Sequence, residues 1–158
     1  MTLRIPYLIR SAYQDEWDDA MTLAWKTFMQ FEANIYTAEG VRNFEDFITD
    51  TTLYRMFVMG AYQMFVALDR EQIVGMITLR NVSHISLLFV DEKYHRQGIG
   101  RALIEYLREY LLSEAGISKV TVNAAPYGVA FYHKLGFRDL RPEEERDGIR
   151  YTPMEFIL

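Results

Sequence analysis

The sequence predicts a mixed α/β fold: a mostly antiparallel sheet with one parallel βαβ unit at its centre and helices on both faces. Three observations carry that expectation. The apolar run Ile85 to Val90 leads through Arg96-Gln97-Gly98-Ile99-Gly100 into a helical pattern, with Leu103, Ile104, Leu107, Tyr110 and Leu111 at three- and four-residue spacing. Ile117 to Asn123 then reads as a strand, and strand–helix–strand at this separation makes a right-handed crossover between parallel strands. Gln63 to Leu68 and Ile73 to Leu79 flank Asp69-Arg70-Glu71-Gln72 and read as an antiparallel hairpin.

Taken in order, Tyr7 to Arg10 is a short first strand. A helix starts at Asp15, with Trp17, Ala20, Met21, Ala24, Trp25, Phe28 and Phe31 on one stripe and Asp15 and Glu16 in its first turn. Glu32 to Tyr36 breaks that stripe. Thr37 then caps a second helix, with Glu39 in its first turn and Val41, Phe44, Phe47 and Ile48 on its apolar side. Thr51 to Met59 continues as helix until Gly60. Gly75, inside the second hairpin strand, marks a bulge or a close backbone approach. Ile85 to Val90 reads as a strand buried on both faces.

Gly116 ends the helix after the glycine turn, and Pro126 opens another that runs to Leu135. Phe137 to Leu140 is a strand, the charged stretch Pro142 to Gly148 a loop, and Ile149 to Leu158 a closing strand. Pro153 confines that last strand to an edge or a bulge.

A length of 158 residues, half of them hydrophobic, fits one folded domain, residues 1–158. No apolar run approaches the roughly 18 residues of a membrane span, and Met1 to Arg10, interrupted by Pro6, lacks the pattern of a secretory signal. A cytoplasmic protein without a membrane partner is the expectation. The absence of cysteine excludes disulfides, thiolate zinc sites and a cysteinyl acyl-enzyme, and the three histidines lack metal-ligand spacing, so no metal is expected. A net charge of −5 argues against nucleic acid as partner.

The glycine turn carries the chemistry. Amides at a helix N-terminus lack internal partners, the helix dipole favours an anion there, and glycine lets a phosphate approach the backbone. Arg96 and Arg101 add positive charge on either side. A dinucleotide fingerprint would need a third glycine where Leu103 stands, and a phosphate-binding P-loop would need Gly-Lys-Ser/Thr where Gly100 is followed by Arg101-Ala102.

The stretch Tyr94-His95-Arg96-Gln97-Gly98-Ile99-Gly100-Arg101-Ala102-Leu103, with Asn123 to Phe137 (N-A-A-P-Y-G-V-A-F-Y-H-K-L-G-F) downstream, resembles the GCN5-related N-acetyltransferases. The family pattern is Gln/Arg-x-x-Gly-x-Gly/Ala, so His95 departs from it at the first position. The resemblance implies the acyl-CoA N-acyltransferase fold and acetyl transfer from acetyl-CoA to a primary amine, on a small molecule or a peptide, in a ternary complex. It allows a homodimer.

The same resemblance places the pyrophosphate on His95, Arg96, Gln97, Gly98, Ile99, Gly100 and Arg101, and the pantetheine arm along the backbone of Leu88, Phe89 and Val90. It makes Tyr132 the general acid for the leaving thiolate and puts a polar contact at Asn123. The first two helices and their connection become a wall of the acceptor site, with Phe31, Glu32, Tyr36 and Glu39 in it. Glu32 and Glu39 are candidate general bases. So is His84, whose strand parity matches Ser86, Leu88 and Val90, and water is the alternative. Two other readings stay open: a non-catalytic acyl-CoA-binding module, and transfer of a longer acyl group such as succinyl.

Overall fold

The computed structural model describes residues 5–158; residues 1–4, part of the stretch weighed above as a secretory signal, lie outside the described residues. Strand β1 (Leu8–Ser11) is followed by α1 (Trp17–Phe31), α2 (Ala38–Ile48) and α3 (Thr51–Val58). Strands β2 (Gln63–Asp69), β3 (Gln72–Arg80) and β4 (His84–Val90) precede α4 (Ile99–Ser113) and β5 (Lys119–Ala124). Helix α5 (Val129–Lys134) then leads to β6 (Arg138–Asp139), β7 (Glu144–Arg146) and β8 (Ile149–Ile157). The sheet order is β1-β2-β3-β4-β5-β8-β6, with β7 also on β8. Every pairing is antiparallel except β4 with β5.

Local chemistry sets the element ends. The Thr37 hydroxyl accepts from the Gly40 amide at 3.1 Å, and Asp50 Oδ1 accepts from the Thr52 amide at 2.8 Å, so side chains fill the N-terminal caps of α2 and α3. Gly116, at φ 64°, lets the chain fold back so that the Ile117 amide reaches the Leu111 carbonyl at 2.8 Å and closes α4.

Each sheet face has its own core. Helices α1 to α3 cover one, where Ala24, Phe28, Leu53, Met64, Met76 and Leu87 are buried together. Helices α4 and α5 cover the other, where Phe65, Ile77, Leu103, Leu107, Val122 and Tyr132 meet. Leu107 is fully buried, so its truncation to alanine would cost about 2–5 kcal/mol. The expectation at Gly75 holds in both senses: pairing slips between Ala67 and Leu68 opposite it, and a Cβ there would stand 3.0 Å from Ile99 Cγ2 of α4.

Three expectations need correction. The charged stretch Pro142 to Gly148 is not all loop: Glu144–Arg146 pairs with Ile149–Tyr151 as a hairpin. Pro153 does not put β8 at an edge, since β8 has partners on both sides. A residue's N and C=O point the same way, and the Pro153 carbonyl accepts from Leu140, so its missing N–H falls on the side where β7 has ended and two-residue β6 takes over. Finally, β4 is only partly buried: Ile85 is buried on one face and Leu87 and Phe89 on the other, while His84, Ser86, Leu88 and Val90 are half-buried.

Candidate active site

Strands β4 and β5 pair only at His84 with Thr121 and Ile85 with Val122. Beyond that point they part, and the gap opens into a cleft of about 850 Å³ at their C-terminal ends, where parallel strands generally receive ligands. Every residue of β4, from His84 to Val90, lines this cleft.

A bulge re-aims β4 just before the gap. Thr78 pairs with Leu87 but Leu79 with Ile85, leaving Ser86 as the extra residue. Its geometry is held by side chains: Thr78 Oγ1 accepts from the Leu87 amide at 3.0 Å and bonds the Tyr62 hydroxyl at 2.7 Å, while Tyr62 donates to Ser86 Oγ at 3.0 Å. The bulge overturns the parity assigned to His84. Ile85, Leu88 and Val90 pack toward α4, whereas Leu87 and Phe89 pack toward α1. His84 thus lies on the α1 side, apart from Leu88 and Val90, with its Nδ1 2.8 Å from Thr121 Oγ1.

At the donor end, Arg96 (φ 64°) and Gly98 (φ 80°) both take the left-handed conformation, and Gly98 caps α4. No carbonyl among the described residues accepts from the amides of residues 96 to 101, so these donors are free for an anion. Gly100 must be small, because a Cβ would meet the Phe131 ring at 3.2 Å. His95 Nε2 donates to the Val90 carbonyl at 2.7 Å, which ties the turn to the end of β4. Arg96, Gly98, Ile99, Gly100 and Arg101 all line the cleft. Gln97 is outside the lining: it is exposed and its Oε1 accepts from the Tyr7 hydroxyl at 2.5 Å.

The three β4 residues expected along a pantetheine arm divide. The Asp91 amide bonds the Val74 carbonyl, so alternation makes Phe89 and Met76 a hydrogen-bonded pair and turns the backbone of Leu88 and Val90 into the gap. Phe89 offers its backbone to β3 instead, and its ring lies edge-on to Phe44 at 5.9 Å.

Tyr132, on α5, is buried among Phe131 and Phe137, with ring centroids 5.2 and 5.1 Å away. It lines the cleft, and no described residue hydrogen-bonds its hydroxyl. Burial pushes this phenol well above the ordinary tyrosine range, and the Glu32 charge pushes it further. Glu32 follows the last turn of α1. Burial raises its carboxyl to about 7, against which the Tyr36 hydroxyl, 3.4 Å from Oε1, acts.

Around this pair, Phe31 stacks between His95 and Tyr127, at 5.1 and 5.3 Å. Tyr36 stacks on Phe28, and exposed Asn123 lines the cleft at the end of β5. Burial, then the charge of Arg80, holds His84 below the ordinary histidine range. Glu39 is the misplaced candidate: it is exposed on the first turn of α2 and outside the lining. Sequence reasoning missed the opposite rim, where Arg146, Asp147, Ile149, Arg150 and Tyr151 of the β7–β8 hairpin face the helices. The signal was present: Asp147-Gly148, at φ 54° and 83°, is the two-residue turn that a tight hairpin needs. Arg80, also in the lining, carried no signal.

Residues 32–158 match the family model described as an acetyltransferase (GNAT) domain. The chain belongs to the GNAT family. Among relatives, an uncharacterized N-acetyltransferase of Methanocaldococcus jannaschii is 30% identical over 139 residues, 84% of this chain and 61% of that protein. A glucosamine 6-phosphate N-acetyltransferase of Trypanosoma brucei brucei is 42% identical over 59 residues, 37% of this chain and 40% of that one. The matched stretches thus span less than two thirds of these curated relatives. A GCN5-related N-acetyltransferase from Rhodopseudomonas palustris has the same fold at a TM-score of 0.82 and 20% identity, covering 100% of this chain and 99% of that one. The PaiA N-acetyltransferase of Thermoplasma acidophilum, solved with coenzyme A, follows at 0.79 and 19%, covering 98% of this GNAT chain and 100% of its own. No helix among the described residues is long and apolar enough to cross a membrane.

Proposed function

We propose that residues 1–158 form one N-acetyltransferase domain that moves an acetyl group from acetyl-CoA directly to a primary amine. The observation that carries this reading is the two-residue pairing of β4 with β5, which leaves a gap between the free amides of the glycine turn and the hydroxyl of Tyr132. The amides of residues 96 to 101, with Arg96 and Arg101, suit a pyrophosphate. The backbone of Leu88 and Val90 suits an extended amide-bearing arm added like a strand.

In this reading the amine nitrogen attacks the thioester carbonyl carbon while the Leu88 N–H, which faces the gap, stabilises the oxygen. Glu32, with its carboxyl near 7, accepts the proton lost by the amine. The C–S bond breaks and Tyr132 gives its proton to the departing sulfur, which no cysteine in this chain could replace as an acetyl carrier. Asn123, Phe31 and Tyr36 border the acceptor, and His84, bonded to Thr121, is a positioning residue rather than the base.

The test is release of free CoA from acetyl-CoA against a panel of amines, with calorimetric titration of CoA alongside. CoA binding with amine-dependent release supports the enzyme. Binding without release for any amine would leave an acyl-CoA-binding module, and an acetylated protein accumulating without acceptor would exclude direct transfer.

A further inference from the structure

Arg80 closes β3 at the end of the cleft farthest from the glycine turn. It pairs in register with His84, and His84 and Val90 are six positions apart, about 20 Å of strand. An anion held there is therefore a different group from one held at Gly98 to Gly100. By strand alternation Arg80 shares the α1 side of the sheet with Met76 and Thr78, the side on which His84 and Tyr62 also lie.

Arg80 lines the cleft, its Nε is shut off from solvent without a hydrogen-bond partner, and no carboxylate among the described residues forms an ion pair with it. Of the cleft's other charged side chains, Arg96 and Arg101 flank the glycine turn, and Arg146 and Asp147 stand on the β7–β8 rim. Arg150 is paired with Glu143 at 3.0 Å, and Glu32 takes its hydrogen bond from Tyr36. A partly buried charge is ordinarily paired, because its lost hydration has to be offset. An arginine left open in a ligand cleft is a fork for two oxygens of a carboxylate or phosphate. His84 beside it is held toward its neutral form, so the local field stays that of one cation.

We infer that the acceptor amine carries an anionic oxygen group, carboxylate or phosphate, and that Arg80 binds it. The inference rests on the acetyltransferase reading above and narrows its substrate class. It works against polycationic acceptors, whose second charge would face the guanidinium.

The experiment uses matched acceptors: β-alanine against β-alaninamide, and O-phosphoethanolamine against ethanolamine. With acetyl-CoA, the anionic member of at least one pair is expected to have a kcat/KM about tenfold or more above its neutral partner, expressed mainly in KM. Arg80→Gln should bring the two members level, while Arg80→Lys should retain part of the preference. The ratio within a pair is the readout, because a purely structural defect lowers both members together. Calorimetry of the same four amines on the protein–CoA complex reads the discrimination without turnover, so a catalytically inert protein still gives an answer.

Failure of CoA to bind overturns the acetyltransferase reading. CoA binding with no anionic preference, or a preference that survives Arg80→Gln, overturns the role of Arg80. A gain with succinyl-CoA over acetyl-CoA that Arg80→Gln abolishes, without any preference among acceptors, moves the anion to the acyl group and overturns the assignment to the acceptor.

Discussion

Gly40 and Gly148 meet backbone to backbone, so that a Cβ on Gly40 would lie 2.2 Å from the Gly148 carbonyl oxygen. This contact seats the β7–β8 hairpin against α2 and sets the width of the cleft's outer mouth. Gly40→Ala is expected to destabilise the fold by about 1–3 kcal/mol, because backbone rather than a side-chain tip must move. It should also raise the acceptor KM more than that of acetyl-CoA. Urea denaturation and separate KM values check both parts.

The carboxyl of Glu32 near 7 predicts the pH dependence of turnover. As the proposed base, Glu32 has to be ionised, so kcat should rise through a limb centred near pH 7 and level off above it. Glu32→Gln should lower kcat about 10²-fold or more and remove that limb. A limb that persists in the variant would assign the titration elsewhere.

The same residue predicts a stability slope. Its pKa is raised from 4.5 in the unfolded chain to about 7 in the folded one, so between those values the folded state holds more protons. Stability contributed by the neutral carboxyl is full below about pH 4.5 and falls as pH rises through 7. Replacing Glu32 with Gln should therefore stabilise the protein at pH 8, on the order of 2 kcal/mol, and little at pH 4. Denaturation curves at the two pH values measure the difference.

Tyr132→Phe removes the hydroxyl proposed as proton donor but keeps the ring contacts to Phe131 and Phe137. Turnover should fall about 10²-fold. Acceptors tested with a thioester of lower thiol pKa, which needs less protonation on leaving, should recover part of the loss. An unchanged rate would take the phenol out of the reaction.

Thr78 is fully buried, and its hydroxyl oxygen accepts from the Leu87 amide in the bulge at 3.0 Å. Thr78→Val keeps the shape but removes the hydroxyl that the Leu87 amide and the buried Tyr62 hydroxyl bond, at about 1–3 kcal/mol. Because the bulge aims the backbone of Leu88, kcat should drop as well, and amide exchange at Leu87 should accelerate. Normal turnover in a folded Thr78→Val protein would separate the bulge from catalysis.

Much of this was readable from residues alone, for identifiable reasons. The glycine turn, the crossover and the β2–β3 hairpin announce themselves because their signals are local: Gly98 and Gly100 before a helical stripe, and Asp69 to Gln72 between apolar runs. The bulge at Ser86 is not local, since Tyr62, 24 positions away, holds it, and with it went the facing of His84. Strand β7 is Glu144-Glu145-Arg146, with no apolar alternation to betray it, and pairing with β8 alone makes it a strand. Arg80 is unremarkable in sequence and acquires meaning only where two strands diverge.

That divergence has a consequence beyond ligand binding. Backbone donors and acceptors of Leu88 and Val90 without a strand partner amount to a sheet edge, and such edges recruit other chains. Here the edge lines a cleft instead of the outer rim of the sheet, and His95, stacked on Phe31, already occupies the Val90 carbonyl. The protein can keep a strand-shaped vacancy for a small molecule without offering it to a neighbouring polypeptide.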